Sequence, residues 1–135
     1  MGGRGASSGM SRNKKGELKH KYGTEFSMVY QYDNIKFIKK NEGSPTAPME
    51  TMTPGRVYAT LNDDNKPMFI TYYDKNNKRY KQIDLSHSHP IDGKPTNPHI
   101  HKGYEHKEKG THKLSNKEQK LLDRVMKIWY NHLDK

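Results

Sequence analysis

Short runs of alternating apolar and polar residues, separated by turn-forming residues, fill the centre of this chain. Phe26, Met28, Tyr30 and Tyr32 stand at every second position, and Asp33-Asn34 forms a turn into a run over residues 35–39. Three further runs cover residues 56–61, 68–73 and 78–85, joined by polar turns at 62–67 and 74–77. A period of two is typical of strands, and short polar turns join antiparallel neighbours. The pattern predicts an antiparallel meander sheet of four to five strands.

The segment 41–55 interrupts these runs. Pro45, Pro48 and Pro54 prevent regular structure there, because proline lacks a backbone N–H and fixes its own backbone angle. We expect a loop that uses Met49 and Met52 to pack over one face of the sheet.

The period changes after Lys113. Ser115 is followed three residues later by Glu118, which is the sequence signature of a helix-starting capping box. Apolar residues then recur at three- and four-residue steps: Leu121, Leu122, Val125, Met126, Ile128, Trp129 and Leu133. This spacing makes one broad apolar stripe on a helix. A meander sheet needs another element to bury its apolar face. We therefore predict an α+β fold with one C-terminal helix packed across the sheet.

The first 22 residues have a different composition. Residues 2–9 are rich in glycine and serine, and five cations follow: Arg12, Lys14, Lys15, Lys19 and Lys21. Such a composition predicts a disordered basic arm over residues 1–22 and a single α+β domain over residues 23–135. The arm could contact phosphate backbones, or it could serve only as a linker or a solubilising end.

Charge and residue content restrict the partners. Lys and Arg number 25 against 15 Asp and Glu, so the net charge is +10 and attracts polyanions, nucleic acid first among them. The absence of cysteine excludes disulfides, thiolate metal sites and a cysteine nucleophile, and it fits a reducing compartment. No apolar run approaches the roughly 18 residues of a membrane span, so we expect no membrane partner.

Six of the eight histidines lie in a His-rich loop predicted over residues 86–112. They include two His-x-His pairs, His87 with His89 and His99 with His101, on either side of a short Pro/Gly turn. Imidazole exchanges protons near neutral pH and ligates metals in its neutral form. The segment therefore predicts either an acid–base site or a metal site, with a solvated polar loop as the alternative.

Zinc would need three or four such ligands. His87, His89, His99 and His101 could supply them, but Pro90 and Pro98 stiffen the approach, and no His-Glu-x-x-His motif is present. We expect no resident cofactor, with zinc on these four histidines as the alternative.

Metal-independent RNA cleavage needs a base for the 2′-hydroxyl, an acid for the leaving 5′-oxygen and cations for the phosphate. Two of the clustered imidazoles, with lysine or arginine, would meet this need. Asp84 is expected either to orient one of them or to cap a turn. The candidate nucleic-acid-binding residues are Arg56, Arg79, Lys81, Lys102 and Tyr104, the last through stacking or hydrogen bonding.

A family resemblance lies in residues 70–85, in the histidines that follow them and in the segment Pro98–His101. They resemble the C-terminal modules of polymorphic bacterial toxins and of phage minor head proteins of the head-morphogenesis family. Residues 2–9 and 48–56 are similar to the phage versions in particular, and the resemblance covers most of the chain from Tyr22 onward. These modules are presumed nucleases, compared with barnase, EndoU, colicin and RelE-like ribonucleases. The resemblance implies site residues at Asp84, His87, His99 and His101.

The chain departs from that pattern at two points. Asn77 replaces the usual hairpin glycine, which is tolerable because asparagine also accepts a positive φ. The chain also begins with its own Met, so we expect a free-standing protein without a head-protein domain.

Two functions remain open from the sequence. The first is a phage- or mobile-element-encoded ribonuclease-like domain that cleaves RNA by histidine acid–base catalysis, with a cognate immunity protein as a further partner. The second is a non-enzymatic phage accessory or anti-defence protein, such as a CRISPR inhibitor that binds a host defence protein, or a nucleic-acid-binding module. Both predict a location in the bacterial cytoplasm, and the phage resemblance adds association with the virion.

Overall fold

A six-stranded sheet and one helix form the body of the protein. The computed structural model describes residues 9–20, 23–85, 89–91, 94–96, 99–102 and 113–134. In spatial order the sheet contains β10 (His99–Lys102), β7 (Arg79–Asp84), β6 (Pro67–Tyr73), β5 (Val57–Leu61), β3 (Ile35–Lys40) and β2 (Phe26–Tyr32). Two short ladders pair β1 (Gly9–Met10) with β4 (Glu50–Thr51), and β8 (His89–Ile91) with β9 (Lys94–Thr96). The helix is α1 (Asn116–Leu133). The predicted α+β class is confirmed.

Polar turns set the strand pairings as the sequence predicts. β2 and β3 form an antiparallel hairpin, and β5, β6 and β7 form an antiparallel meander. Asp33, Asn65 and Asn77 adopt φ values of 58°, 61° and 64° in the three turns. Short polar side chains tolerate this left-handed region better than most residues do. Asn77 therefore replaces a hairpin glycine without losing the turn.

The sheet differs from the prediction in two respects. β3 and β5 are parallel, because the connection through residues 41–56 returns the chain to the end of the sheet where β3 began. A sixth strand, β10, comes from the segment predicted as a His-rich loop and pairs antiparallel with β7. The sheet is therefore mostly, not wholly, antiparallel, and it has six strands instead of four to five.

Part of the predicted N-terminal arm is folded. β1 pairs with β4, Met10 is buried, and Arg12 forms an isolated bridge with Leu18. The predicted boundary at residue 22 is thus too late for residues 9–20. The glycine-rich and charged composition gives no sign of this pairing, because the partner strand of β1 lies about forty residues further along the chain. Residues 1–8 and 21–22 lie outside the described residues.

The apolar stripe of α1 packs across one face of the sheet. Leu122, Val125 and Trp129 are buried against a cluster from five strands: Ile35, Phe37, Val57, Ala59, Leu61, Ile70, Ile83 and Ile100. The Trp129 ring stacks on Phe37, with centroids 4.9 Å apart, and its Nε1 donates to the Asn65 carbonyl at 2.9 Å. The predicted cover of the sheet is confirmed. In the part of the chain that the structure describes, no helix has the length and hydropathy of a membrane span.

The loop between β3 and β5 lies on the other face. Ala47 is buried, and the carbonyl of Pro48 accepts a hydrogen bond of 2.6 Å from the Tyr73 hydroxyl. Burial of the side chain raises the pKa of Tyr73 well above its ordinary value. Met52 is 63% exposed, so the loop packs through Ala47 and Pro48 and not through Met52.

One buried carboxylate attaches the start of α1 to the sheet. Glu118 Oε1 accepts from the Ser115 backbone N–H at 2.7 Å, and the Ser115 hydroxyl accepts from the Glu118 backbone, which completes the predicted capping box. Glu118 Oε2 accepts from Lys81 Nζ at 3.0 Å and lies 3.5 Å from the Tyr72 hydroxyl. Burial acts to raise the pKa of Glu118, but the Ser115 N–H and Lys81 outweigh it, and the net pKa is lowered.

Replacing Glu118 with glutamine should destabilise the protein by about 1–2 kcal/mol at pH 7, the range for losing a helix cap and a charged hydrogen bond. A carboxyl whose folded pKa is lowered adds stability that is complete above its ordinary pKa of 4.5 and is lost as the pH falls through the folded value. Urea unfolding at pH 7 and pH 3 should therefore show a smaller difference between Glu118→Gln and wild type at pH 3.

Asp123→Asn is the matched control, since Asp123 is an exposed carboxylate on the same helix. It should change the free energy of unfolding by less than about 0.5 kcal/mol at either pH. A Glu118→Gln penalty that is equal at both pH values would contradict the assignment.

Candidate functional site

A buried aspartate–histidine pair marks the candidate site. Asp84 ends β7 and is 1% exposed, and His101 lies in β10 and is 4% exposed. His101 Nε2 lies 3.4 Å from Asp84 Oδ2. A carboxylate beside one ring nitrogen favours the tautomer with a proton on that nitrogen, and so orients the imidazole. The pair can therefore take part in proton transfer.

Strand register brings the pair together. β7 and β10 pair antiparallel with Asp84 opposite His99 and Gln82 opposite His101. Ile83 and Ile100, the intervening residues, point into the core beneath α1. Because neighbouring residues of a strand alternate between faces, Asp84, Gln82 and positions 99 and 101 fall on the opposite face.

The same face continues across β6 with Phe69 opposite Asp84 and Thr71 opposite Gln82. Arg79 Nη1 donates to Gln82 Oε1 at 3.4 Å. Together with the loop before β4, these residues enclose a cavity of about 250 Å³, the Asp84 cleft, lined by Pro45, Thr46, Ala47, Phe69, Arg79, Gln82 and Asp84. A guanidinium, an amide and a carboxylate thus face one small space, which is a chemically suitable site for a phosphate beside a proton-transfer pair.

A second cavity lies beside Arg79 and is lined mostly by the N-terminal segment. This basic cleft has a volume of about 550 Å³ and is lined by Arg12, Asn13, Lys14, Gly16, Lys19, Met49 and Arg79. Gly16, with φ 81°, closes the turn that presents the lysines. Arg12 pairs with Glu50 at 2.9 Å, whereas Lys14 and Lys19 are exposed and form no ion pair with any described residue. Two such cations near Arg79 make a positive approach to the Asp84 cleft.

The structure separates two of the predicted nucleic-acid-binding residues from this site. Lys81 lies on the helix-covered face of β7, where its ammonium group contacts Glu118. Arg56 lies one residue before β5. Four residues further along, Thr60 pairs with Phe69, and Phe69 pairs with Asp84, so these three residues form one row across the sheet. At about 3.3 Å per strand residue, Arg56 is roughly 13 Å away along the strand.

For the other predicted site residues, the structure describes at most the backbone. His87 and Tyr104 lie outside the described residues. His89, His99 and Lys102 are placed in strands by their backbones alone, with Lys102 opposite Lys81 in the register. The alternative zinc site of His87, His89, His99 and His101 therefore lies largely beyond what the structure describes. Within the described residues, no group of three or more His, Asp or Glu side chains could hold a metal ion.

Several residues of the site were not predicted from the sequence. Gln82 and Phe69 carry no motif, and only the pairing of β6 with β7 places them beside Asp84. Arg12, Lys14 and Lys19 were expected in a disordered arm, and only the pairing of β1 with β4 brings them to Arg79. The strand alternation of residues 78–85 could have indicated that Gln82 shares a face with Asp84.

A larger cavity, of about 800 Å³, lies between β2 and the end of α1. It is lined by Tyr30, Tyr32, Arg124, Lys127, Ile128, Asn131, His132 and Asp134. Its histidine, His132, stacks on Tyr30 with centroids 3.7 Å apart, and none of the described carboxylates is paired with that imidazole. The Asp84 cleft, although smaller, is lined by Asp84, the carboxylate that contacts His101.

Comparison with known proteins gives no family for this chain. No protein-family model matches it. Neither the curated proteins nor the solved structures contain a significant match. The chemistry of the site therefore has to be argued from its own residues.

The basic cleft should control polyanion binding. Replacing Lys14 with alanine, or Arg79 with glutamine, should weaken binding of a single-stranded RNA oligonucleotide and reduce the slope of log K against log salt by about 1, as expected for one lost phosphate contact. Fluorescence anisotropy over a salt series measures the slope.

Lys127→Ala removes the same charge from the opposite edge of the sheet and should leave the slope unchanged. If Lys127→Ala and Lys14→Ala reduce the slope equally, binding follows net charge and the cleft has no special part in it.

Proposed function

We propose that this protein is a metal-independent endoribonuclease whose acid–base centre is the Asp84–His101 pair. The observation that supports this most is the buried carboxylate–imidazole contact beside Arg79 and the Asp84 cleft. The net charge of +10 and the basic cleft favour a polyanionic substrate. The resemblance to toxin and phage head-protein modules favours RNA.

In the proposed reaction, His101 accepts the proton of the RNA 2′-hydroxyl, and Asp84 stabilises the imidazolium that forms. The 2′-oxygen bonds to phosphorus as the bond from phosphorus to the 5′-oxygen breaks. A second acid protonates the leaving 5′-oxygen, so the products are a 2′,3′-cyclic phosphate and a 5′-hydroxyl. We assign that acid to His99, which the register places opposite Asp84.

Arg79 supplies the electrostatic part of the proposal. Its guanidinium lines both the Asp84 cleft and the basic cleft, where it can contact phosphate oxygens that gain charge in the transition state. Gln82, in contact with Arg79 at 3.4 Å, holds the guanidinium toward the cleft. Lys14 and Lys19 then bind the phosphates that follow in the strand.

The test is incubation of the purified protein with RNA in excess EDTA. Wild type should cleave and leave 2′,3′-cyclic phosphate ends, and a substrate with 2′-deoxy nucleotides should remain intact because it lacks the nucleophile. His101→Ala and the double variant His99→Ala/His101→Ala should lose about 10²-fold or more of the rate, the usual contribution of a general acid or base.

His132→Ala is the matched control, because its imidazole stacks on Tyr30 at the far edge of the sheet. It should cleave at the wild-type rate. Asp84→Asn should reduce the rate while circular dichroism shows an unchanged fold. Absence of cleavage in EDTA, or cleavage that survives the double variant, would refute the proposal.

A second candidate is a nucleic-acid-binding protein without catalysis, favoured by the basic cleft. RNA binding that is unchanged when both His99 and His101 are replaced, with no cleavage by wild type, is the result expected of such a protein. A target in a host defence complex would instead give protein binding with weak salt dependence.

A further inference from the structure

Two largely buried cations lie at adjacent strands, on the face of the sheet opposite α1 and away from Asp84. Lys36 in β3 is 5% exposed, and Arg56, just before β5, is 9% exposed. β3 and β5 run parallel with Ile35 opposite Val57, and those two residues point into the core beneath α1. Alternation therefore places Lys36 and Arg56 together on the other face, diagonally across adjacent strands.

No carboxylate in the part of the chain that the structure describes neutralises this pair. Arg56 Nη1 donates to the Asn34 carbonyl at 3.4 Å, but its Nε is fully enclosed and has no hydrogen-bond partner. Among the described residues, neither cation has a carboxylate within 4.0 Å, and Lys36 has no hydrogen-bond partner. Burial and the charge of Arg56 lower the pKa of Lys36.

Two like charges taken out of water without a partner are unfavourable, and sequences rarely retain them unless an anion compensates. The ion pairs elsewhere show that the chain supplies carboxylates where it buries other cations, as Glu118 does for Lys81 and Glu25 for Lys40. Lys36 Nζ is not fully enclosed, so a ligand from solvent can contact it. The missing partner is thus best supplied from outside the chain.

We infer that Lys36 and Arg56 form a binding site for a phosphate group. The planar guanidinium binds two oxygens of an oxyanion at once, and the ammonium group adds a second positive charge that suits phosphate better than a single carboxylate. The Nε of Arg56 is enclosed, so a phosphate oxygen from solvent would contact the terminal nitrogens of the guanidinium and Lys36 Nζ. The site is independent of the proposed ribonuclease activity, since it lies roughly 13 Å along β5 from the row of Asp84.

Thermal unfolding of the full chain at constant ionic strength tests the inference. Inorganic phosphate at saturation should raise the melting temperature of wild type by about 4 °C relative to chloride. Arg56→Gln and Lys36→Met should lose this response. In chloride, Lys36→Met should melt at or above the wild-type temperature, because it removes an uncompensated buried charge. A purely structural lysine would give the opposite result.

Controls separate this site from other cations. Lys39→Met removes a charge from the same strand, where Lys39 donates to Asn65 Oδ1, and it should keep the phosphate response. The part of the phosphate response that Lys36→Met removes should persist in Arg79→Gln, which distinguishes this site from the Asp84 cleft. If Lys36→Met fails to fold, Lys36→Gln takes its place, and broadening of the phosphate ³¹P signal measures binding directly.

A parallel arm with an RNA oligonucleotide identifies the source of the phosphate. Stabilisation by inorganic phosphate that depends on Lys36 assigns a free phosphate or nucleotide. Stabilisation only by RNA, again lost in Lys36→Met, assigns a phosphodiester. A response to either ligand that is the same in wild type, Lys36→Met and Arg56→Gln, or no response in wild type, would overturn the inference.

Discussion

The contacts of the Glu118 carboxylate hold the two layers of this fold together. One oxygen closes the first turn of α1 through the Ser115 N–H, and the other contacts Lys81 from β7. A helix start fixed against β7 determines which sheet residues its apolar stripe covers. Ile83 and Ile100 are buried there, and this burial keeps β10 beside β7. The geometry of Asp84 and His101 on the reverse face thus depends on a contact on the helix side.

The two faces of the sheet have different roles. One face forms the apolar core with α1, and the other carries the candidate site. The helix side buries the larger apolar cluster, whereas the reverse side buries Thr60, Thr71, Gln82, Asp84 and His101 beside the smaller cluster of Phe26, Ile38 and Tyr58. The hydroxyls of Thr60 and Thr71 are fully enclosed and have no hydrogen-bond partner among the residues that the structure describes. Burying polar groups in this way lowers stability. A face that retains them is suited to binding and proton transfer, and the apolar core on the other side compensates.

Local signals made much of this architecture predictable. The alternation at Phe26–Tyr32, the turns at Asp33 and Asn77, and the Ser115–Glu118 capping box each specify a conformation within a few residues. Asp84 as a partner for a histidine was also predictable, because it ends a strand just before the His-rich segment. The parallel β3–β5 pair, β10 and the folded residues 9–20 were not, since each depends on pairing between distant segments. Arg56 and Lys81 were placed at the site for their charge, and the strand register puts both elsewhere.

The position of α1 in the chain has a consequence for biosynthesis. Trp129 closes the core by stacking on Phe37 and bonding to the Asn65 carbonyl, and every strand that it covers precedes it in the chain. A ribosome therefore releases the apolar face of the sheet before it has made the helix that covers that face. Until then the strands lack most of their buried area. The domain should accordingly complete its folding only after α1 has been synthesised, and the apolar face of the sheet stays uncovered until then.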